Sequence, residues 1–372
     1  MNPEQPALFV SHASSLQPAG GGVQRCTREY AAVLTAAGYK LTYVSYVNDR
    51  VWLRRLRKKL FPQPYQYQLP PSFAGECAAK ADQIGARWIF LNHGDTAPIA
   101  ATLAARYPGK YRFALLSHGL DSTDYLHEIR IRAARIGARQ TNWLGKQLFA
   151  EMSQRRHLDV VFCLSPTDLG IEKWLGAKRV RMVPRIIADQ PLALAPVSGR
   201  IGTVSTLDHP PNHEGIVLFA AALQRHPGVT LRLVGGPRDF GETLARRFAH
   251  LTYLGPLGDA PLAAEAATWA CFVNPLFCYP RGASTKLALP LSWRLPIATT
   301  RAGARGYRWN EELVRLAETP EELAGQAANL ANLDGFPRAS EASRQIAAAS
   351  PTLEEISLMV AAVLREASSV GS

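Results

Sequence analysis

The sequence predicts an α/β protein built from two consecutive domains, each with a parallel sheet. Strand-length apolar segments alternate with helix-length amphipathic ones along most of the chain, and the alternation restarts after an aperiodic, proline-bearing stretch near residue 190. With 372 residues and 47% apolar content, the chain can fill two cores of ordinary size. Parallel pairing follows from the helix-length spacers, because right-handed crossovers return successive strands in one direction.

The first domain, residues 1–187, opens with the apolar strand Ala7–Ser11 and a small-residue loop over Ser15–Gly22. A helix is expected over Val23–Ala36, where Val23, Tyr30 and Leu34 recur at helical spacing with Cys26 and Ala31. Further strands are expected at Leu41–Val47, Trp88–Asn92, Phe113–His118, Val160–Leu164 and Val180–Val183. Residues 188–199, with Pro191 and Pro196, read as a linker. The second domain, residues 200–350, has candidate strands at Ile201–Ser205, Thr230–Val234, Leu251–Leu254, Ala270–Val273, Pro296–Thr299 and Val314–Ala317. Helices are expected at Asn212–Leu223, Phe240–Phe248, Leu262–Thr268 and Glu321–Leu333. A last helix, Pro351–Ala367, carries the apolar stripe Leu353, Ile356, Met359, Val360 and Val363.

Charge is uneven. Residues 1–185 hold 26 Lys and Arg against 13 Asp and Glu, whereas residues 186–372 hold 16 against 17, so only the first half is expected to meet an anionic surface. Within it, Val51–Phe61 sets Leu53, Leu56 and Leu60 on one helical face and Arg54, Arg55, Arg57, Lys58 and Lys59 around it, a pattern that suits an anionic membrane surface. The basic residues lack interleaved aromatics or a nucleic-acid module, so no nucleic-acid partner is expected. No leader and no apolar run near the roughly 18 residues of a membrane span are visible. Five scattered cysteines read as reduced thiols of a cytosolic protein, and no metal-ligand spacing occurs, so neither metal nor other cofactor is expected. Oligomeric state is not legible.

The richest segment is Asn274–Gly306, which runs from one strand through a cationic turn and helix into the next. Backbone amides of Ser284, Thr285 and Lys286 at a helix start, with the charges of Arg281 and Lys286, form a candidate anion site for a diphosphate. The glycine loop Gly20–Gly22, followed by Arg25, also stands between a strand and a helix, where backbone can approach an anion closely. His118 and Asp121 stand at a strand end, where α/β sheets place ligand contacts, and His93 with Asp95 are a weaker counterpart one strand earlier. Glu151 on a helix is a possible acceptor contact.

In type and spacing, Pro275-Leu276, Gly282, Lys286, Pro296, Gly303 and Gly306 resemble the C-terminal half of GT-B nucleotide-sugar glycosyltransferases, in particular the large retaining family. Asp159–Asp168 with Val180–Pro184, and Ile201–Ser205 with Pro211, Asn212 and Gly215, extend the resemblance. Two positions depart: Leu289 stands where the pattern has a ribose-binding Glu, and Arg294 where it has a Gly. The resemblance implies two Rossmann-like domains facing a cleft, with the last helix crossing back to the first. It implies sugar transfer from a nucleotide-sugar to a saccharide acceptor, lipid-linked, in cell-surface polysaccharide or glycolipid synthesis at the cytoplasmic membrane face. The donor diphosphate would lie on Arg281, Ser284, Thr285 and Lys286. Gly21, Gly22 and Arg25 would line the cleft, and Ser205, Gly235 and Tyr253 would adjoin the base. His118 would contact the donor sugar, and Asp121 would serve as base if the outcome were inversion. A non-catalytic scaffold or partner subunit that has lost donor binding, and a sugar-nucleotide epimerase, remain open alternatives.

Overall fold

The computed structural model describes residues 4–18, 21–47, 64–65, 68–132 and 136–369. The basic segment Val51–Phe61, with Arg54, Arg55, Arg57, Lys58 and Lys59, and the glycine Gly20 lie outside them. The chain runs β1 (Gln5–His12), α1 (Gly22–Ala36), β2 (Tyr39–Tyr46), α2 (Phe73–Ile84), β3 (Trp88–Asn92), α3 (Pro98–Arg106), β4 (Arg112–Leu116), α4 (Asp121–Arg132), α5 (Ala138–Arg155), β5 (Val160–Cys163), α6 (Pro166–Trp174) and β6 (Val180–Met182). These six strands pair in parallel in the order β2-β1-β3-β4-β5-β6. Every residue of β3 and β5 is buried, as a strand covered by helices on both faces requires. Helix α6 starts where the Ser165 hydroxyl accepts from the Asp168 amide and Pro166 takes the first turn.

The second series is β7 (Arg200–Thr206), α7 (Pro210–Leu223), β8 (Thr230–Gly236), α8 (Arg238–Arg247), β9 (Leu251–Gly255), α9 (Asp259–Ala266), β10 (Cys271–Asn274), α10 (Ala288–Ser292), β11 (Ile297–Thr299), α11 (Pro320–Ala331), α12 (Phe336–Ala348) and α13 (Leu353–Ser369). Its sheet is also parallel, in the order β11-β10-β7-β8-β9. Each sheet reverses its winding once, between β1 and β3 and between β7 and β10, and the carboxyl ends of strands beside such a reversal leave a crevice open to ligands.

Three features differ from expectation. Val314–Ala317 is not a strand; Val314 is tied back by its amide to the Asn310 carbonyl and by the Trp309 indole, leaving one bridge from Ala317 to Thr300. Helix α12 was not foreseen. The proline-bearing connection is bound along the second domain, with the amides of Gln190, Ala195 and Val197 donating to Ser292, Ala267 and Thr268. Helix α13 buries Ile356, Val360, Val363 and Leu364 in one cluster with Tyr30, Val33 and Leu34 of α1. Phe336–Ser369 is long and apolar enough to cross a membrane by length and composition, but it is broken at residues 349–352 and α13 spends its apolar face on the first core.

Candidate functional site

A cavity of about 710 Å³ opens between the two sheets at their carboxyl ends. From the first domain it takes Gly21, Gly22, Arg25, Cys26, His118, Asp124 and Leu164; from the second, among others, Ser205, Asn212, Gly235, Arg281, Ser284, Thr285, Lys286, Leu289 and Arg305. The domains approach closely here. A Cβ on Gly22 would lie 2.6 Å from the Thr285 hydroxyl, and one on Gly119, at φ +96°, would lie 2.2 Å from the Gly282 amide nitrogen, so only glycine fits either contact.

The segment after β10 forms a single-turn 3-10 helix, Thr285–Leu287, leading into the five-residue α10. The expected helix start is therefore present but short. The amide of Ser284 already donates to the Arg305 carbonyl at 3.4 Å, which leaves Thr285 and Lys286 as the first amides without an intrahelical acceptor. Across the cavity, α1 starts at Gly21 with no side-chain cap, so its first amides also face the space. Helix α10 ends with Arg294 in the left-handed region, φ +62°, at the position where the resembled pattern has Gly; its guanidinium is held by Asp189 at 2.7 Å.

Three cations of the second domain border the cavity, in three electrostatic states. Arg281 pairs with Asp121, and with Asp124 through Nε at 3.0 Å; its backbone amide also donates to Asp124 at 2.8 Å. Lys286 donates to Asn212 Oδ1 at 2.7 Å, and burial, reinforced by the positive field of Arg305, lowers its ammonium to about 7. Arg305, 9% exposed, donates among the described residues only to the carbonyls of Gly282, Ala302 and Arg281; no carboxylate among them is in ion-pair contact with it, and Asp168 and Asp124 act on its charge only from a distance. Sequence reading did not single it out, because nothing local separates it from Arg301, which is exposed and paired with Glu311 and Glu318.

His118 lines the cavity, and its Nε2 lies 2.8 Å from Asn92 Oδ1. Burial, then the nearby charges of His93 and Arg281, hold its imidazole well below the usual range, so the ring is neutral. Asp121 does not line the cavity; it opens α4 and is engaged by Arg281. Tyr253 also stays outside, its hydroxyl donating to the Gly235 carbonyl at 2.8 Å. Ser205 is buried on the lining and its hydroxyl has no partner among the described residues. Glu151 is buried and accepts from Tyr65 and Ser122, which removes it from any acceptor. His93 and Asp95, 3.3 Å apart, lie off the lining, with the His93 ring 5.4 Å from that of His118. Among the described residues no group of three or more His, Cys, Asp or Glu side chains is placed to hold a metal ion.

Away from the cations one wall of the lining is apolar, with Val204, Leu257, Leu262, Phe272, Leu289 and Trp293 belonging to or packed against one hydrophobic cluster. The space thus offers a charged end with free backbone donors and an apolar end, which matches a ligand with an anionic part and a planar or apolar part.

No protein-family model matches the sequence, and no curated protein matches it. Among solved structures the chain is similar to a sucrose-phosphate synthase from Thermosynechococcus elongatus, with TM-score 0.70 and 18% identity over 99% of this chain and 100% of that one. It is similar to HepE of Anabaena in complex with UDP and glucose, at TM-score 0.64 and 14% identity over 97% and 100%. An O-GlcNAc transferase of Thermobaculum terrenum matches at TM-score 0.64 and 15% identity, over 100% of this chain and 69% of that one. With two parallel sheets facing one cleft and these neighbours spanning its whole length, the chain has the GT-B fold.

Proposed function

We propose that this protein is a glycosyltransferase that takes a nucleotide-sugar donor into the interdomain cavity and transfers its sugar to a saccharide acceptor. The observation that carries the reading is the convergence of Arg305, Lys286 and the open amides at Thr285 and α1 on one cavity. HepE, with UDP and glucose bound, is one of the similar folds and supports a donor of this type. The diphosphate lies against Arg305 and Lys286, whose charges stabilise the leaving group as the glycosidic bond breaks. Arg281, already paired with Asp121 and Asp124, chiefly clamps the two domains. The nucleoside lies on the apolar wall at Leu289 and Trp293, beside Ser205 and Gly235.

Transfer proceeds with retention and without metal: the departing phosphate oxygen takes the acceptor proton on the same face, so no protein carboxylate is needed there. The acceptor is a saccharide on a lipid carrier at the cytoplasmic membrane face; the charge excess of residues 1–185 supports attraction to anionic lipid. Calorimetry with UDP, dTDP, GDP, ADP and CDP tests the donor site. One of them binds, and at about 100 times its dissociation constant raises stability by about 2.7 kcal/mol; no binding by any of the five removes the reading. Flotation with anionic vesicles at low salt tests the membrane part, which fails if the protein stays wholly in solution.

A further inference from the structure

The structure assigns Asn92 as a positioning residue that locks His118 in the Nε2–H tautomer, so that Nδ1 is presented to the cavity as a hydrogen-bond acceptor. Asn92 is fully buried at the end of β3. Its amide nitrogen lies 2.9 Å from Ser11 Oγ and 3.0 Å from Thr27 Oγ1, and its Oδ1 lies 2.8 Å from His118 Nε2. The Ser11 hydroxyl donates to the His12 carbonyl, so its oxygen is free to accept. Because the Ser11 hydrogen is committed to the His12 carbonyl, Ser11 Oγ can offer the amide only an acceptor, which turns the amide nitrogen toward Ser11 and Thr27 and the carbonyl toward the ring. A carbonyl oxygen only accepts, so Nε2 carries the hydrogen and Nδ1 carries the lone pair.

The ring is neutral for reasons independent of the tautomer. Around it stand His93, Arg281 and Arg185, which disfavour a charge, against Asp95 alone, and burial outweighs all of them. Nδ1 has no protein partner among the described residues, and the residue borders the cavity. A neutral lone-pair nitrogen there selects a ligand group that donates, and on the reading proposed above that group is a hydroxyl of the transferred sugar.

Long-range 15N–1H spectra of histidine-labelled protein test this without any turnover. The wild type shows His118 as neutral Nε2–H. In Asn92→Asp the neighbouring carboxylate raises the His118 titration midpoint by about 1–3 pH units, and the acid limb of kcat/KM moves up by the same interval, whereas a purely structural defect lowers turnover equally at every pH. In Ser11→Ala/Thr27→Val the amide is free to flip, and an Nδ1–H population appears. An Nδ1–H wild type, or variants that leave both midpoint and tautomer unchanged, overturns the assignment. If no nucleoside diphosphate binds while the spectra behave as stated, the donor reading fails and the tautomer lock stands.

Discussion

Residues 1–185 hold all of the chain's net positive charge, yet around the cavity they supply a neutral imidazole, Asp124 and one arginine, Arg25. Residues 186–372 are close to neutral and supply Arg281, Lys286 and Arg305. The contrast continues inside. The buried guanidiniums of the first half are matched: Arg155 meets Glu172, and Arg185 meets Glu29, each at 2.7 Å. Among the described residues Arg305 hydrogen-bonds only to carbonyls. Net charge therefore governs long-range attraction, while an anion site is located by the cation left without a carboxylate in direct contact.

The largest expected effect separates stability from function. Arg155→Met strands a buried Glu172 and should destabilise the fold by about 3–5 kcal/mol, read from denaturant melts. Arg305→Met breaks no direct ion pair, though it removes a positive charge near the buried Asp168, and should cost less than Arg155→Met, yet lower kcat/KM by about 10²–10³-fold through loss of leaving-group stabilisation. Removing the compensated set together, in Arg281→Met/Asp121→Asn/Asp124→Asn, should lower kcat/KM only about fivefold, near the 1 kcal/mol of a partly exposed pair. If the triple change is the more damaging, Arg281 rather than Arg305 carries the anion site.

A second effect is pH-dependent. Because the folded Lys286 titrates near 7, nucleoside diphosphate binding should weaken as pH rises through that value, and Lys286→Arg should flatten the profile. In the free protein the sign for stability is opposite. The folded pKa is depressed below the 10.5 of the ordinary ammonium, so between about 7 and 10.5 the unfolded chain holds more protons and stability rises with pH. Lys286→Met should remove that slope from urea melts across the same window.

The smallest effect belongs to Tyr253. Losing one hydroxyl bond to Gly235 in Tyr253→Phe should cost about 0.5–1.5 kcal/mol and leave nucleotide affinity nearly unchanged, since the ring lies outside the cavity. A large loss of affinity would place the tyrosine among the ligand contacts after all.

Much of the architecture is legible because it is periodic. Trp88–Asn92 is an unbroken buried run whose bounds coincide with β3, and the glycines at 22 and 282 sit where the two domains come into close contact. What escapes is settled by distant partners. Val314–Ala317 has strand-like residues, but a turn around Trp309 claims it. Asp121 and Arg281 lie 160 residues apart in sequence and neutralise each other, while Arg301 and Arg305 are four apart and have opposite fates. Asn92 reads as the polar end of a strand, and only the fold brings Ser11, Thr27 and His118 around it.

Helix α13, made of nearly the last residues of the chain, seals the same core that α1 begins. Because Leu353–Ser369 leaves the ribosome long after the six strands of the first sheet, the α1 side of that core gains this cover only late in synthesis.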